Sequence, residues 1–138
     1  MILAGGMIRW PAEHYPDKTA VKFEGREMTF REVNERINRL ANGLIDMGLK
    51  RGDRVAALLY NSPRAIETRF ALMKAGLCMV PINIRQTEDE NAYIINHSQS
   101  DVVILDGDYL PNWERMRDQC RAVRTVIVAD CDDAAGLS

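Results

Sequence analysis

The chain has 138 residues, 46% hydrophobic and 28% charged, with Lys+Arg 18 against Asp+Glu 20 and a formal net charge of −2. These values exclude wholesale disorder and a collagen-like repeat, and the mildly acidic balance leaves no electrostatic footprint for nucleic acid or anionic lipid. No apolar run approaches the ~20 residues of a membrane helix, and the opening Met1–Ala4 is too short and too uncharged for a secretory leader.

The first stretch, 1–17, reads as an irregular arm packed through Trp10, Pro11, Tyr15 and Pro16. Two short apolar runs, 20–23 and 28–30, flank Glu24-Gly25-Arg26, which predicts a β-hairpin with Gly25 at positive φ. Thr29 and Glu32 form a capping box, and Val33, Ile37, Leu40, Leu44 and Met47 then mark one face of a helix. Arg36, Arg39, Asn42 and Asp46 fall on its other side, and Gly48 suits a left-handed cap. After the turn at Arg51-Gly52-Asp53, the unbroken apolar run 55–59 predicts a strand buried on both faces.

Ser62 and Pro63 start a second helix, with Ile66, Phe70 and Met73 on its core face and Gly76 as its stop. The run 78–82 is a strand, with Pro81 near its end because proline cannot donate to a ladder. Thr87 and Glu90 make a second capping box, opening a helix to about His97. The run 102–105 is another buried strand, and Gly107 turns the chain. Leu110, Trp113, Met116, Cys120 and Val123 share one helical face, and 126–128 is the last strand. The tail, 130–138, has no period and reads as loose.

Helices alternating with apolar strands imply parallel pairing and right-handed crossovers. The expected fold is α/β: an open, mostly parallel sheet with helices on both faces, preceded by a β-hairpin. The division is an arm at 1–17, an α/β subdomain at 18–129 and the tail, together one partial domain.

Chemistry is sparse along the chain. Neither common phosphate-binding loop is present, nor a Gly-x-Ser-x-Gly elbow. Cys78, Cys120 and Cys131 stand at wide spacings and only His14 and His97 join them, so free buried thiols in a reducing cytoplasm are expected rather than zinc. His97 sits where an imidazole caps helix carbonyls. Asp130, Asp132 and Asp133 read as solvated charge, without the glycine and bidentate glutamate of a calcium loop. Asp101, Asp106 and Asp108 flank a strand, and carboxylates at the carboxyl end of a parallel strand stand where ligands bind in such sheets. Arg85 falls in a strand-to-helix loop, where a guanidinium either points into solvent or holds a phosphate through forked hydrogen bonds.

Several ordered blocks resemble one family. Residues 16–21, Met28-Thr29-Phe30-Arg31-Glu32-Val33, residues 38–41, Gly48 to Val55, Asn61-Ser62-Pro63 and the block 72–83 are similar to the opening of acyl-CoA synthetases. The blocks 28–33 and 72–83 resemble the first two core motifs of adenylate-forming enzymes. The resemblance implies the first subdomain of the N-terminal domain of such an enzyme. It implies a parent protein that activates a carboxylic acid with ATP and Mg2+, passes through an acyl-adenylate, and transfers the acyl group to CoA. The family's phosphate loop, acyl pocket and adenylation lysine come later in such chains, so no catalysis and no bound cofactor are expected of these residues alone. Asn83-Ile84-Arg85-Gln86-Thr87 resembles the Asn-x-Arg-Leu-Thr segment, whose arginine contacts the nucleotide phosphate of CoA in some family ligases. Arg85 matches and Gln86 departs from the usual leucine.

Two rival readings remain at this level. One is a self-standing flavodoxin-like binding or docking module, and the other is a piece of a peptide-synthetase adenylation domain. A sheet interrupted part-way through a larger domain would also leave an edge exposed, favouring self-association into a homo-oligomer.

Overall fold

The protein is described by a computed structural model that covers residues 4–129. Cys131 and the acidic residues Asp130, Asp132 and Asp133, with the predicted loose tail, lie outside the described residues. The chain forms two compact units. One comprises the chain up to Asp53 together with Asn61–Cys78, and the other comprises Arg54–Tyr60 together with the chain from Met79 onward.

The first unit begins with a single 3-10 turn, Ala4–Gly6, and a short helix α1, Arg9–His14. The sequence predicts an irregular arm here. Pro11 lies in the first turn of α1, where the missing N–H has no intrahelical acceptor to lose, so proline does not bar the helix. Strands β1 (Thr19–Phe23) and β2 (Arg26–Thr29) pair antiparallel with Phe23 opposite Arg26. Both turn residues, Glu24 at φ 48° and Gly25 at φ 78°, take the left-handed conformation. That is the demand of a two-residue hairpin turn whose twist matches the strands, and it puts Glu24 as well as Gly25 in an uncommon region.

Helix α2, Phe30–Asp46, starts at the predicted capping box: Thr29 Oγ1 accepts from the Glu32 N–H, and Glu32 Oε2 accepts from the Thr29 N–H at 2.8 Å. We expect Thr29→Ala to cost about 1 kcal/mol and roughly 3–4 °C in Tm, measured by thermal unfolding; an unchanged Tm would show that the box adds nothing. Val33, Ile37, Ala41 and Leu44 are buried, while Met47, placed on the apolar face by periodicity, is exposed at the fraying end. Gly48 at φ 91° closes the helix, and Leu49 N–H reaches back to Leu44 O.

Helix α3, Pro63–Ala75, has the predicted ends, with Ser62 capping Ala65 N–H and Gly76 at φ 73°. Its buried face is not the predicted one. Glu67, Thr68, Ala71 and Leu72 are buried, whereas Ile66 and Met73 are exposed and Phe70 is half-buried. The reason is Arg36 on α2, which reaches Glu67 with Nε–Oε1 at 2.5 Å and Nη2–Oε2 at 3.2 Å. A carboxylate held in a guanidinium fork is buried at far less cost than a free one, and the helix turns that residue inward. The apolar core of this unit gathers Ile8, Val33, Ile37, Ala41 and Ala71, with Val21, Met28 and Phe30 against it.

The second unit carries a four-stranded sheet in the order β4-β3-β5-β6. Its strands are β3 (Arg54–Leu58), β4 (Cys78–Pro81), β5 (Val102–Asp106) and β6 (Thr125–Ala129). Val55 pairs with Val102 and Leu58 with Leu105 in parallel, and β5 pairs with β6 the same way from Val102↔Thr125 to Asp106↔Ala129. Residues Val55–Leu58 and Val102–Leu105 are buried, as their unbroken apolar runs predict, and Asp106 at the end of β5 is buried as well. Helices α4 (Glu88–His97) and α5 (Leu110–Met116) lay Ala92, Ile95, Trp113 and Met116 on Ala56, Leu58, Val103 and Leu105.

The last predicted helix is shorter than its stripe. It ends at Met116, a 3-10 turn Arg117–Gln119 follows, and Cys120 joins the same core from the loop. Burial pushes the Cys120 thiol pKa up, away from reactivity. Cys78, expected to be buried, is exposed at the start of β4.

Candidate functional site

The strands β3, β4 and β5 deliver their following loops at their carboxyl ends, the end at which open parallel sheets hold ligands. The loop after β4 carries Arg85. It is fixed from both sides: Ile82 N–H donates to Ala57 O at 2.9 Å, and Thr87 begins α4 through a second capping box with Glu90. Between these anchors, Asn83 Oδ1 accepts the Arg85 N–H at 3.0 Å and Asn83 O accepts the Gln86 N–H at 3.2 Å. The Arg85 side chain is exposed, and its guanidinium has no hydrogen bond or ion pair to any described residue. A fixed backbone with an uncommitted, permanently charged fork suits a phosphate oxyanion.

Asp106, the last residue of β5, is 2% exposed. Its Oδ2 accepts the Tyr60 N–H at 2.6 Å, tying the exit of β3 to the end of β5. The ring of Tyr60 lies 4.8 Å from that of Tyr109, and Tyr109 is buried beneath it. Burial foremost, then Tyr60 and the Asp106 and Asp108 charges, pushes the Tyr109 phenol well above its ordinary pKa, so it stays protonated. Asp106 therefore holds the loops rather than offering an open carboxylate.

The structure separates the other candidates. Asp101 stands at the opposite end of β5, where Arg124 Nη2 meets its Oδ2 at 2.8 Å. Asp108 is exposed on the turn after β5. His97 ends α4 with its ring stacked on Tyr93, and His14 Nδ1 lies 2.9 Å from Trp10 O. Sequence reasoning missed the Tyr60–Asp106–Tyr109 arrangement. Its one local signal is an aspartate directly after a buried apolar run, and the partner 46 positions earlier leaves no sequence mark.

Among the described residues no group of three or more His, Cys, Asp or Glu is placed to hold a metal ion, and no helix is long and apolar enough to cross a membrane.

The chain holds a parallel four-stranded α/β sheet and a hairpin-and-helix unit, an architecture matching the N-terminal domains of adenylate-forming enzymes. The sequence profile of the AMP-binding enzyme family matches residues 8–137, and the chain belongs to that family. A crotonobetaine/carnitine–CoA ligase of Salmonella paratyphi A is 40% identical over 111 residues, which is 77% of this chain and 22% of the ligase. A Mycobacterium tuberculosis fatty acyl CoA synthetase superposes with a TM-score of 0.86 at 32% identity, over 91% of this chain and 26% of that one. Coronafacic acid ligase from Pectobacterium brasiliense gives 0.88 at 25% identity, over 98% of this chain and 27% of that one. The chain thus spans about a fifth of the length of the curated ligase it matches.

Proposed function

We propose that this chain is the leading scaffold of a cytoplasmic CoA ligase. In that reading the whole protein joins a carboxylic acid to ATP as an acyl-adenylate with release of pyrophosphate. The thiol of CoA then displaces AMP to form a thioester. The observation that carries the proposal is the family match across residues 8–137 together with 40% identity to a named CoA ligase. ATP and Mg2+ would be held by other parts of the protein, and the 138 residues alone would be inactive. Arg85 would take the nucleotide phosphate of CoA, for which its exposed and unpaired guanidinium is suited. The reading of a self-standing docking module has no supporting observation beside it.

A chimera tests this. The matching segment of the Salmonella ligase is replaced by this chain, and pyrophosphate and AMP release are followed with that enzyme's own acid and CoA. We expect acid-dependent release of both products; a chimera that folds by circular dichroism yet makes no adenylate overturns the scaffold reading. In the same chimera Arg85→Ala should raise the KM for CoA about tenfold, with adenylation unchanged. Dephospho-CoA, lacking the phosphate in question, should bind the chimera and its Arg85→Ala variant alike. An unchanged KM for CoA discards the role of Arg85.

A further inference from the structure

The first unit contains a second feature that the ligase reading does not use. A cleft of about 650 Å3 opens beside Lys74, with Gly5, Arg9, Arg31, Asn34 and Asn38 on its walls. Lys74 lies in the last turn of α3 and is half-buried. Its Nζ donates to Asn34 Oδ1 at 2.6 Å and to Asn38 Oδ1 at 2.7 Å, two amides one turn apart on α2. Both acceptors are neutral. They solvate the ammonium without balancing its charge, and no carboxylate among the described residues pairs with it.

A second cation faces the same space. Arg9 gives its Nε–H to Glu13 at 2.6 Å, which leaves its terminal nitrogens uncommitted. Burial, and then the Arg9 charge, lowers the Lys74 pKa from its ordinary value, so the two cations act on each other. The wall between them is tightly built. A Cβ on Gly5 would stand 3.0 Å from Lys74 Cα and 3.2 Å from Met73 O, so the amino-terminal segment lies against α3 with room for hydrogen only. A half-buried ammonium without a counter-ion is stabilised by an anion, which supplies both the missing charge and an acceptor for the third proton. Glu13 and Glu35 also line the cleft, and Arg31 is engaged by Asp17 at 3.1 Å. Glu13 is already neutralised by its pairing with Arg9 Nε.

We propose that this cleft binds a small oxyanion, a carboxylate or phosphate group, on the third Lys74 N–H and the terminal guanidinium nitrogens of Arg9. The test is calorimetric titration of the 138-residue chain with inorganic phosphate and, separately, acetate, at constant ionic strength set with chloride. Saturable binding of either oxyanion is expected, and the preferred one identifies the head group. Lys74→Gln should weaken it about tenfold and Arg9→Gln severalfold. Arg9 is on the surface of a six-residue helix, so its variant carries the test should Lys74→Gln fail to fold by circular dichroism. Absence of heat with both anions, or variants that bind as the parent does, overturns the site. The readout is binding heat alone, so the outcome is independent of the ligase reading.

Discussion

Replacing Arg36 by methionine should destabilise the protein by about 3 kcal/mol, at the lower end of what stranding one partner of a buried ion pair costs. Glu67 is the reason. Its side chain is 2% exposed, whereas that of Arg36 is 32% exposed, so removing the arginine leaves a carboxylate in the interior while the reverse change leaves a guanidinium that water still reaches. Both oxygens of Glu67 are held by the fork. The loss is a large share of the roughly 5–15 kcal/mol that holds a domain folded. The double replacement Arg36→Met with Glu67→Met should recover most of it, since two apolar side chains remove the desolvation cost together with the attraction. Urea unfolding of the parent, both single variants and the double variant closes the cycle. Arg36→Met within about 0.5 kcal/mol of the parent, the ordinary scatter of surface substitutions, would show that the pair is not what turns Glu67 inward.

The same pair explains where sequence reading succeeds and where it stops. Signals that operate within one turn of helix are legible. Thr29 with Glu32, Thr87 with Glu90, Ser62 with Pro63 and the left-handed Gly76 all mark the ends they were read to mark. The cores of β3 and β5, Val55–Leu58 and Val102–Leu105, are legible because a run buried on both faces is apolar. The face of α3 is not, because burial of Glu67 depends on a residue 31 positions earlier. Periodicity favoured Ile66 and Met73 for the interior, and the ion pair outweighs it. Helix α1 was hidden by Pro11, whose cost vanishes in a first turn. At the candidate site, the position of Arg85 on a strand-to-helix loop follows from the order of elements alone, and the structure places it there. The clamp of Asp106 on the Tyr60 amide could not be read, since a backbone donor carries no residue type.

Trp113→Ala should cost about 3–5 kcal/mol, the range for deleting a buried aromatic side chain from a packed core. Leu110, three residues earlier on the same predicted stripe, should lose about 1 kcal/mol or less as alanine, because a half-solvated side chain has little burial to forfeit. The stripe alone assigns both residues to one face, but the structure leaves Trp113 7% exposed and Leu110 39% exposed. The separation follows from how α5 begins. The turn Gly107–Tyr109 brings the chain off β5 with Tyr109 buried, so the first position of α5 lies at the rim while Trp113 and Met116 reach the sheet beside Leu105. Denaturant unfolding of the two variants measures the difference directly. Equal losses at the two positions would mean that α5 packs against the core from its first residue and that Leu110 is not at the rim.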